Sequence, residues 1–248
     1  MSKESKLLKI LGVRYLLSQN TAAASIHNIQ DKTIAVSDKS NASHLPIDLM
    51  RLSRLLADKA TSINELKEII DNFMGLELKM FATNTVFGEG VIHPKVMFIG
   101  EAPGKTEDET GRPYCGASGQ LLDNMLAAIG LYSQTNAYIT NTVFWRPPAN
   151  RTPTQLEIDT CRPFVEKHIA LVQPKVIVLV GATATLSLLG DNSGITKIKQ
   201  NWHQYTNGYL KEAIPLTALF HPAYLLRQPM QKKATWQDLL KIQEFLKK

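Results

Sequence analysis

The sequence predicts an α/β fold: a three-layer α/β/α sandwich around a central, mainly parallel four-stranded sheet. From Lys95 onward, short apolar runs alternate with longer segments whose apolar residues recur at helical spacing, a pattern typical of parallel strands joined by helices. The chain has 248 residues, 44% hydrophobic and 20% charged, which is enough for one large globular domain.

Four short apolar runs are the predicted strands, at residues 96–99, 137–140, 176–180 and 214–219. The helices of the sandwich are predicted at about 118–129, 154–171, 183–189 and 234–245. Ligands of such sheets bind beyond the carboxyl ends of the strands. Residues that directly follow the strands are therefore the functional candidates.

The first 80 residues are predicted to be an N-terminal helical extension to a domain at residues 81–248. Helical spacing predicts a helix at 6–17, and the polar stretch after it predicts a flexible linker at about 18–45. Two more helices are predicted at 47–57 and 62–73, and Ser62 and Glu65 have the capping-box spacing at the start of the second.

Charge and composition narrow the classes of partner. The net charge of +6 favours polyanions without identifying one. No stretch approaches the roughly 20 apolar residues of a membrane helix, and Lys9 interrupts the early apolar run, so we expect a cytoplasmic protein. Cys115 and Cys161 match no metal-ligand spacing, which predicts two ordinary thiols.

A long glycine-rich loop follows the first predicted strand. It contains Gly100-Glu-Ala-Pro-Gly104, Gly111-Arg-Pro113 and Gly116-Ala-Ser-Gly-Gln120. Its glycines allow a backbone to approach a ligand closely, and the helix start that follows offers unpaired N–H groups. The loop has neither the phosphate-loop pattern nor the spaced glycines of a dinucleotide fingerprint, which disfavours a nucleotide cofactor.

Polar residues also follow the second and fourth predicted strands. Asn141 precedes Arg146-Pro-Pro148, and its amide could donate to and accept from a base edge at once, although a strand-end asparagine is more often a turn residue. His221 lies in Phe220-His-Pro-Ala-Tyr-Leu-Leu-Arg227, where a following proline restricts the backbone. A lone histidine or an exposed leucine pair would usually be structural, but their combination here favours a site.

Together these segments resemble the uracil-DNA glycosylase superfamily, and most closely its family 4, whose better-known members carry an iron–sulfur cluster. The similarity runs from Thr83-Asn-Thr-Val-Phe-Gly-Glu-Gly90 to the last helix, and the motifs, with Asn150-Arg151 among them, occur in the family's order. The resemblance implies a uracil-DNA glycosylase-like fold. It also implies an enzyme that flips uracil out of DNA and hydrolyses its N-glycosidic bond, which leaves an abasic site and initiates base excision repair.

The resemblance implies roles for three residues of the pocket. Tyr114, where the family usually has phenylalanine, would stack on the flipped base. Asn141 would read the uracil edge, and His221 would donate to a uracil carbonyl oxygen. Glycosidic cleavage is largely dissociative, so the leaving uracil becomes an anion that such donors stabilise while water attacks the sugar.

The superfamily position that holds a catalytic aspartate in the housekeeping enzymes is Ala102 here. Glu101 and Glu107 are the remaining carboxylates that could orient water or shape the pocket. Glu101 is preferred, since Glu107 could equally be a solvated loop residue. We also expect backbone contacts to the base from Gly100, Ala102 and Gly104.

The resemblance also implies DNA contacts. Leu225 or Leu226 would wedge into the gap left by the extruded base, and Ser118 and Arg227 would touch flanking phosphates. Arg151 could add phosphate attraction, although such a residue is more often a solvated surface charge. The expected partner is uracil-containing DNA, single- or double-stranded, bound by a monomer.

The cluster-bearing relatives supply four cysteines: two before the first sheet strand, one directly before Arg-Pro-Pro and one near the start of the next helix. Only the last is present, as Cys161, because Trp145 precedes Arg146 and residues 73–78 contain no cysteine. A 4Fe-4S cluster is therefore expected to be absent, with Trp145 and Leu76 among the residues that fill its volume, and no other metal is expected.

Two alternatives remain open. A non-enzymatic DNA-binding relative is conceivable because of Ala102, although Asn141 and His221 argue against it. A glycosylase of broader base choice would also excise hypoxanthine or xanthine.

Overall fold

The computed structural model describes residues 45–247. The helix predicted at 6–17 and, apart from its last residue, the linker predicted at about 18–45 lie outside the described residues. Across 45–247, no helix is long and apolar enough to cross a membrane.

A six-stranded sheet forms the centre of the fold. Its strands are β1 (Glu89–Gly90), β2 (Val96–Gly100), β3 (Ala137–Asn141), β4 (Val176–Val180), β5 (His203–Tyr205) and β6 (Ile214–Leu219), in the order β1-β3-β2-β4-β6-β5. The four central strands are parallel and are the four predicted ones. The edge strands β1 and β5 are antiparallel to their neighbours. They were missed because strands of two and three residues contain no apolar run.

Helices flank this sheet. The described α-helices are α1 (Leu45–Lys59), α2 (Ile63–Asp71), α3 (Leu78–Phe81), α4 (Lys105–Thr110), α5 (Ala117–Ala127), α6 (Gln155–Val172), α7 (Ala182–Leu189), α8 (Ile195–Ile198), α9 (Pro222–Arg227) and α10 (Lys232–Phe245). The longer ones agree with the predicted helices to within about two residues at most ends. The short helices α3, α4, α8 and α9 were not predicted, because one turn carries too few residues to show a period.

Both faces of the sheet are covered, which confirms the predicted α/β/α sandwich. All five residues of β2 are buried, as expected of a parallel strand between two helical layers. Met97 and Ile99 belong to one core cluster, whereas Val96 and Phe98 belong to the other. The first cluster includes side chains of α1, α2, α6 and α7, and the second includes side chains of α5 and α10.

The first described helices share this core. Leu52 of α1 and Leu66 of α2 are buried in the same cluster as Phe164 of α6. Arg54 of α1 also forms an ion pair with Glu166 of α6. Residues 45–71 therefore pack directly on the sandwich of the domain that was predicted to begin at residue 81.

His168 of α6 is a buried histidine that packs against β3. The His168 ring stacks on Phe87 with a centroid distance of 4.2 Å, and its Nε2 forms a 2.9 Å hydrogen bond with the Tyr138 hydroxyl. Its Nδ1 is buried without a partner among the described residues. Burial lowers the pKa of His168 to about 3, so the ring is uncharged at neutral pH.

This histidine predicts acid sensitivity of the fold. The folded-state pKa lies below the ordinary value of about 6.5, so the folded chain binds fewer protons than the unfolded chain, and stability falls as the pH drops below about 6.5. Between about pH 6.5 and pH 5 the loss from His168 is about 2 kcal/mol. His168→Gln keeps a hydrogen-bonding group but does not titrate. Urea denaturation at about pH 7 and pH 5 should show a smaller loss of unfolding free energy in this variant than in wild type. Equal losses would contradict the role given to His168.

Candidate active site

A polar cavity of about 630 Å³ opens beyond the carboxyl ends of β2, β3 and β6. Three segments form its walls: the loop after β2, the end of β3 with the loop that follows, and the start of α9 after β6. This is the location that the strand-end rule predicts. The lining residues are Glu101, Ala102, Pro103, Gly104, Thr106, Glu107, Tyr114, Gly116, Ala117, Ser118, Asn141, Pro147, Asn150, Arg151, Thr152, His221, Ala223, Tyr224 and Arg227.

Strand pairing places Asn141 in this cavity. Asn141 ends β3 in register with Gly100 of β2. Backbone pairing continues past the strands, since the Thr142 N–H donates to the Gly100 carbonyl at 2.8 Å and the Val143 N–H donates to the Glu101 carbonyl at 3.1 Å. Asn141 is only 2% exposed, so its amide is held in a largely dry environment. Such an amide can form directional hydrogen bonds to a ligand that competing water would weaken.

His221 enters the cavity as the N-cap of α9. Its Nδ1 accepts a hydrogen bond from the Ala223 N–H at 3.1 Å, so the ring proton of the neutral form lies on Nε2. Burial and, second, the charge of Arg227 lower the pKa of His221, whereas Glu107 acts in the opposite direction. At neutral pH His221 is thus an uncharged hydrogen-bond donor through Nε2.

Gly181 supports His221 and was not identified from the sequence. It follows β4 directly, with φ of +98°, and a Cβ at this position would lie 3.1 Å from the Cβ of His221. A larger residue would be strained and would press on the histidine. The available signal was its position at the carboxyl end of the third predicted strand.

Tyr114 lines the same cavity as Asn141 and His221. Its ring centroid lies 5.8 Å from that of His221, and the side chain is 8% exposed. The residue has φ of +52°, a conformation that its surroundings must enforce. Gly119 permits it, because a Cβ on this residue of α5 would overlap the Tyr114 carbonyl oxygen. The structure thus brings Tyr114, Asn141 and His221 to one cavity.

Gly100 is not among the residues that line the cavity, and the expected backbone contact from Gly100 to a base stays a prediction. A Cβ at Gly100 would overlap the Tyr114 hydroxyl and lie 2.6 Å from Oδ1 of Asn141. The missing side chain therefore makes room for two pocket residues. Ala102 and Gly104 do line the cavity, and their expected backbone contacts to a base stay predictions.

The two candidate carboxylates have different surroundings. Glu107 accepts hydrogen bonds from the backbone N–H groups of Gly104 at 3.1 Å, Cys115 at 3.1 Å and Gly116 at 3.0 Å. It therefore ties the two ends of the pocket loop together, a role that the sequence did not reveal. The Glu101 side chain lines the cavity and has no hydrogen bond to any other described residue.

The predicted DNA contacts lie at the rim, with one exception. Ser118, Arg151 and Arg227 line the cavity, and Leu226 is 46% exposed. Leu225 is fully buried and cannot reach DNA in this conformation, so the prediction that it contacts DNA is wrong. It lies on the side of α9 that faces α5 and α10.

Arg151 is also committed to a protein partner. Its guanidinium forms two hydrogen bonds with the Glu157 carboxylate, at 2.7 and 2.8 Å, and a third with the Thr152 carbonyl oxygen. The side chain remains 42% exposed. This pairing holds the charge of Arg151 at the rim of the cavity and reduces the net positive charge there.

Packed side chains fill the region where the family resemblance implies cluster ligands. Phe73, Leu76, Trp145 and Cys161 are all buried in the first core cluster, and the rings of Phe73 and Trp145 stack at 6.0 Å. The Trp145 Nε1 donates to the Thr85 hydroxyl at 3.1 Å. Burial raises the pKa of the Cys161 thiol to about 12, so it stays protonated.

These residues do not fit an iron–sulfur cluster, which requires four thiolate ligands. Over residues 45–247 the structure contains no group of three or more His, Cys, Asp or Glu residues that could hold a metal ion.

Comparison with known proteins covers the same segments. The model of the Uracil DNA glycosylase superfamily matches residues 87–240. The type-4 uracil-DNA glycosylase of Sulfurisphaera tokodaii is 38% identical over 187 residues, which are 74% of this chain and 84% of that protein. The corresponding protein of Thermotoga maritima is 40% identical over 174 residues, 69% of this chain and 88% of its own length. Since the matched region includes every strand end that forms the cavity, the chain belongs to the uracil-DNA glycosylase superfamily.

Proposed function

We propose that this protein is a uracil-DNA glycosylase that removes uracil from DNA by hydrolysis and leaves an abasic site for base excision repair. The observation that carries the proposal is the convergence of Tyr114, Asn141 and His221 on one cavity. An aromatic face, an amide and a neutral imidazole are the groups needed to hold a flipped pyrimidine by stacking and by its polar edge. The type-4 relatives named above support the choice of uracil.

Asn141 and His221 recognise different parts of the base. The amide oxygen of Asn141 accepts the ring N–H of uracil, and its amide nitrogen donates to the adjacent carbonyl oxygen. The Nε2–H of His221 donates to the other carbonyl oxygen, where negative charge builds as the glycosidic bond breaks. Because His221 is already uncharged and held by Ala223, it needs no reorganisation during the reaction.

The sugar becomes electron-deficient as the base departs. Glu101 is the lining carboxylate with no hydrogen bond to the described part of the chain, so it is free to stabilise this cation and orient the attacking water. Glu107 holds the loop by three backbone hydrogen bonds instead. Ala102 has no carboxylate, so Glu101 takes over the function of the missing aspartate.

DNA is held by the rim of the cavity. Leu226 is exposed beside Arg227, where it can replace an extruded base in the stack. Ser118, Arg151 and Arg227 surround the opening and can contact phosphates, and the net charge of +6 adds attraction for the backbone. All the residues that line the cavity come from one chain, so a monomer suffices for the reaction. A DNA substrate is also compatible with the cytoplasmic location predicted from the sequence.

We further propose that the protein holds no 4Fe-4S cluster. Protein purified aerobically should show no absorption band near about 400 nm and far fewer than about four irons per chain, because only Cys161 occupies a ligand position. A cluster-bearing family 4 enzyme, purified in parallel, provides the control. A brown protein with stoichiometric iron would contradict this proposal.

The residue assignments predict large losses of activity. Asn141→Ala and His221→Ala should each lower the single-turnover rate on a uracil-containing oligonucleotide at least about tenfold, because each removes a transition-state hydrogen bond. Exposed residues outside the cavity provide matched controls: Asn192→Ala and His93→Ala should retain the wild-type rate. Circular dichroism should show that all four variants fold.

The same assay tests the alternatives. Binding of the oligonucleotide without an abasic product would favour a non-enzymatic relative. Comparable rates on hypoxanthine and xanthine would favour broader base choice. Near-wild-type rates in both pocket variants would overturn the assignments of Asn141 and His221.

The rate should also depend on pH in one direction. The pKa of His221 is lowered below its ordinary value of about 6.5, so the neutral form dominates at about pH 7 and above. Protonation places a hydrogen on Nδ1, abolishes its bond to the Ala223 N–H and disturbs the ring. Single-turnover rates should be constant above about pH 6.5 and fall below it. A rate that increases towards acidic pH, in protein shown to remain folded, would refute this mechanism.

A further inference from the structure

The Tyr114 hydroxyl is a buried polar group without a partner. Its oxygen is inaccessible to solvent and forms no hydrogen bond with any described residue. Burial, with the nearby charges of Glu101 and then Glu107, raises the pKa of Tyr114 well above its ordinary value, so the hydroxyl keeps its proton and can act as a donor. A buried donor with no acceptor destabilises the fold, and such a group in a ligand-binding cavity calls for a functional explanation.

A side-chain acceptor lies beside this hydroxyl. Gly100 shows that the Tyr114 hydroxyl and Oδ1 of Asn141 are neighbours. A Cβ atom built on this glycine would overlap the hydroxyl and would lie 2.6 Å from Oδ1. The Asn141 side chain has no hydrogen-bond partner of its own in the described part of the chain. An amide oxygen has two acceptor sites, so it can accept from a tyrosine and from a base at the same time.

The orientation of the Asn141 amide decides which base edge it can read. With its oxygen towards the ring nitrogen it accepts the N–H of uracil. Turned over, it would instead donate to the unprotonated ring nitrogen of cytosine and accept from the cytosine amino group. A donor fixed on the oxygen side of the amide would therefore favour uracil.

We propose that Tyr114 is a positioning residue for Asn141: when a base fills the cavity, its hydroxyl donates to Oδ1 of Asn141 and holds the amide in the uracil-reading orientation. The Tyr114 hydroxyl and Oδ1 of Asn141 are not hydrogen-bonded in the structure. The bond forms when the amide adjusts to the base, as catalytic hydrogen bonds often do. This inference rests on the proposed glycosylase function. It gives the hydroxyl a role beyond that of the phenylalanine usual in the related family, which can stack but cannot donate.

The test combines Tyr114→Phe with Asn141→Ala. Tyr114→Phe should lower the single-turnover rate on uracil-containing DNA about threefold to tenfold, the effect of one neutral hydrogen bond, and leave the affinity for abasic DNA unchanged. In the Asn141→Ala background the same change should have no further effect, because the acceptor is gone. Tyr114→Phe should also raise the melting temperature by about 2–4 °C, because it removes a buried hydroxyl that has no partner.

Tyr138→Phe is the matched control. The Tyr138 hydroxyl is buried too, but it pairs with His168 and lies outside the cavity. Its removal should lower the melting temperature and leave the excision rate unchanged. The opposite signs of the two thermal shifts distinguish a hydroxyl that awaits a ligand-induced partner from one that is structural.

Two results would overturn the inference. If Tyr114→Phe lowers the rate equally with and without Asn141, the hydroxyl does not act through the amide. If it leaves the wild-type rate unchanged, the hydroxyl has no part in the reaction. A wild-type chain that fails to excise uracil at all would overturn the proposed function itself, which keeps the two failures distinguishable.

Discussion

The parallel pairing of β2 with β3 is the constraint on which the site depends. It places Gly100 opposite Asn141, and the hydrogen bonds of Thr142 and Val143 extend the pairing into the pocket loop. Both strands are buried on both faces, so a slip of one residue would exchange the two core layers and turn the Asn141 amide away from the cavity. The register also places Asn141 next to Gly100, and the pocket loop brings Tyr114 to the same glycine, which explains the tight spacing there.

Glu107 and His221 are held in place by backbone hydrogen bonds within the protein. Glu107 ties Gly104 to Cys115 and Gly116, so the glycine-rich loop is held at both ends by one carboxylate. His221 is the N-cap of α9, and the hydrogen bond that its ring accepts from the Ala223 N–H fixes its tautomer. Burial of the His221 ring favours the uncharged form. A charge that develops on a departing base therefore meets a dipole that is already in place, and a fixed dipole stabilises such a charge without a cost of reorganisation.

Apolar packing holds together the region where the family resemblance implies cluster ligands. In this chain, aromatic stacking of Phe73 on Trp145 and the packing of Leu76 link the segment after α2 to the loop after β3. Dispersion and apolar burial hold these two segments together. Cys161 remains as a buried neutral thiol, which behaves as a small apolar side chain.

The pattern of apolar and polar residues was enough to predict the four central strands, the longer helices and the segments that form the cavity. Buried parallel strands are continuous apolar runs in the sequence. Because the carboxyl ends of such strands meet at one edge of the sheet, the sequence predicts that Asn141 and His221 lie close together. Contacts in the folded chain show in addition that Leu225 is buried and Leu226 exposed, that Gly100 makes room for Tyr114 and Asn141, and that Gly181 packs against His221. Periodicity within one segment reports burial on average, whereas these details depend on contacts between residues that are distant in sequence. The edge strands β1 and β5 depend on such contacts too. Pairing with β3 and β6 holds them in place, whereas their own composition does not predict a strand.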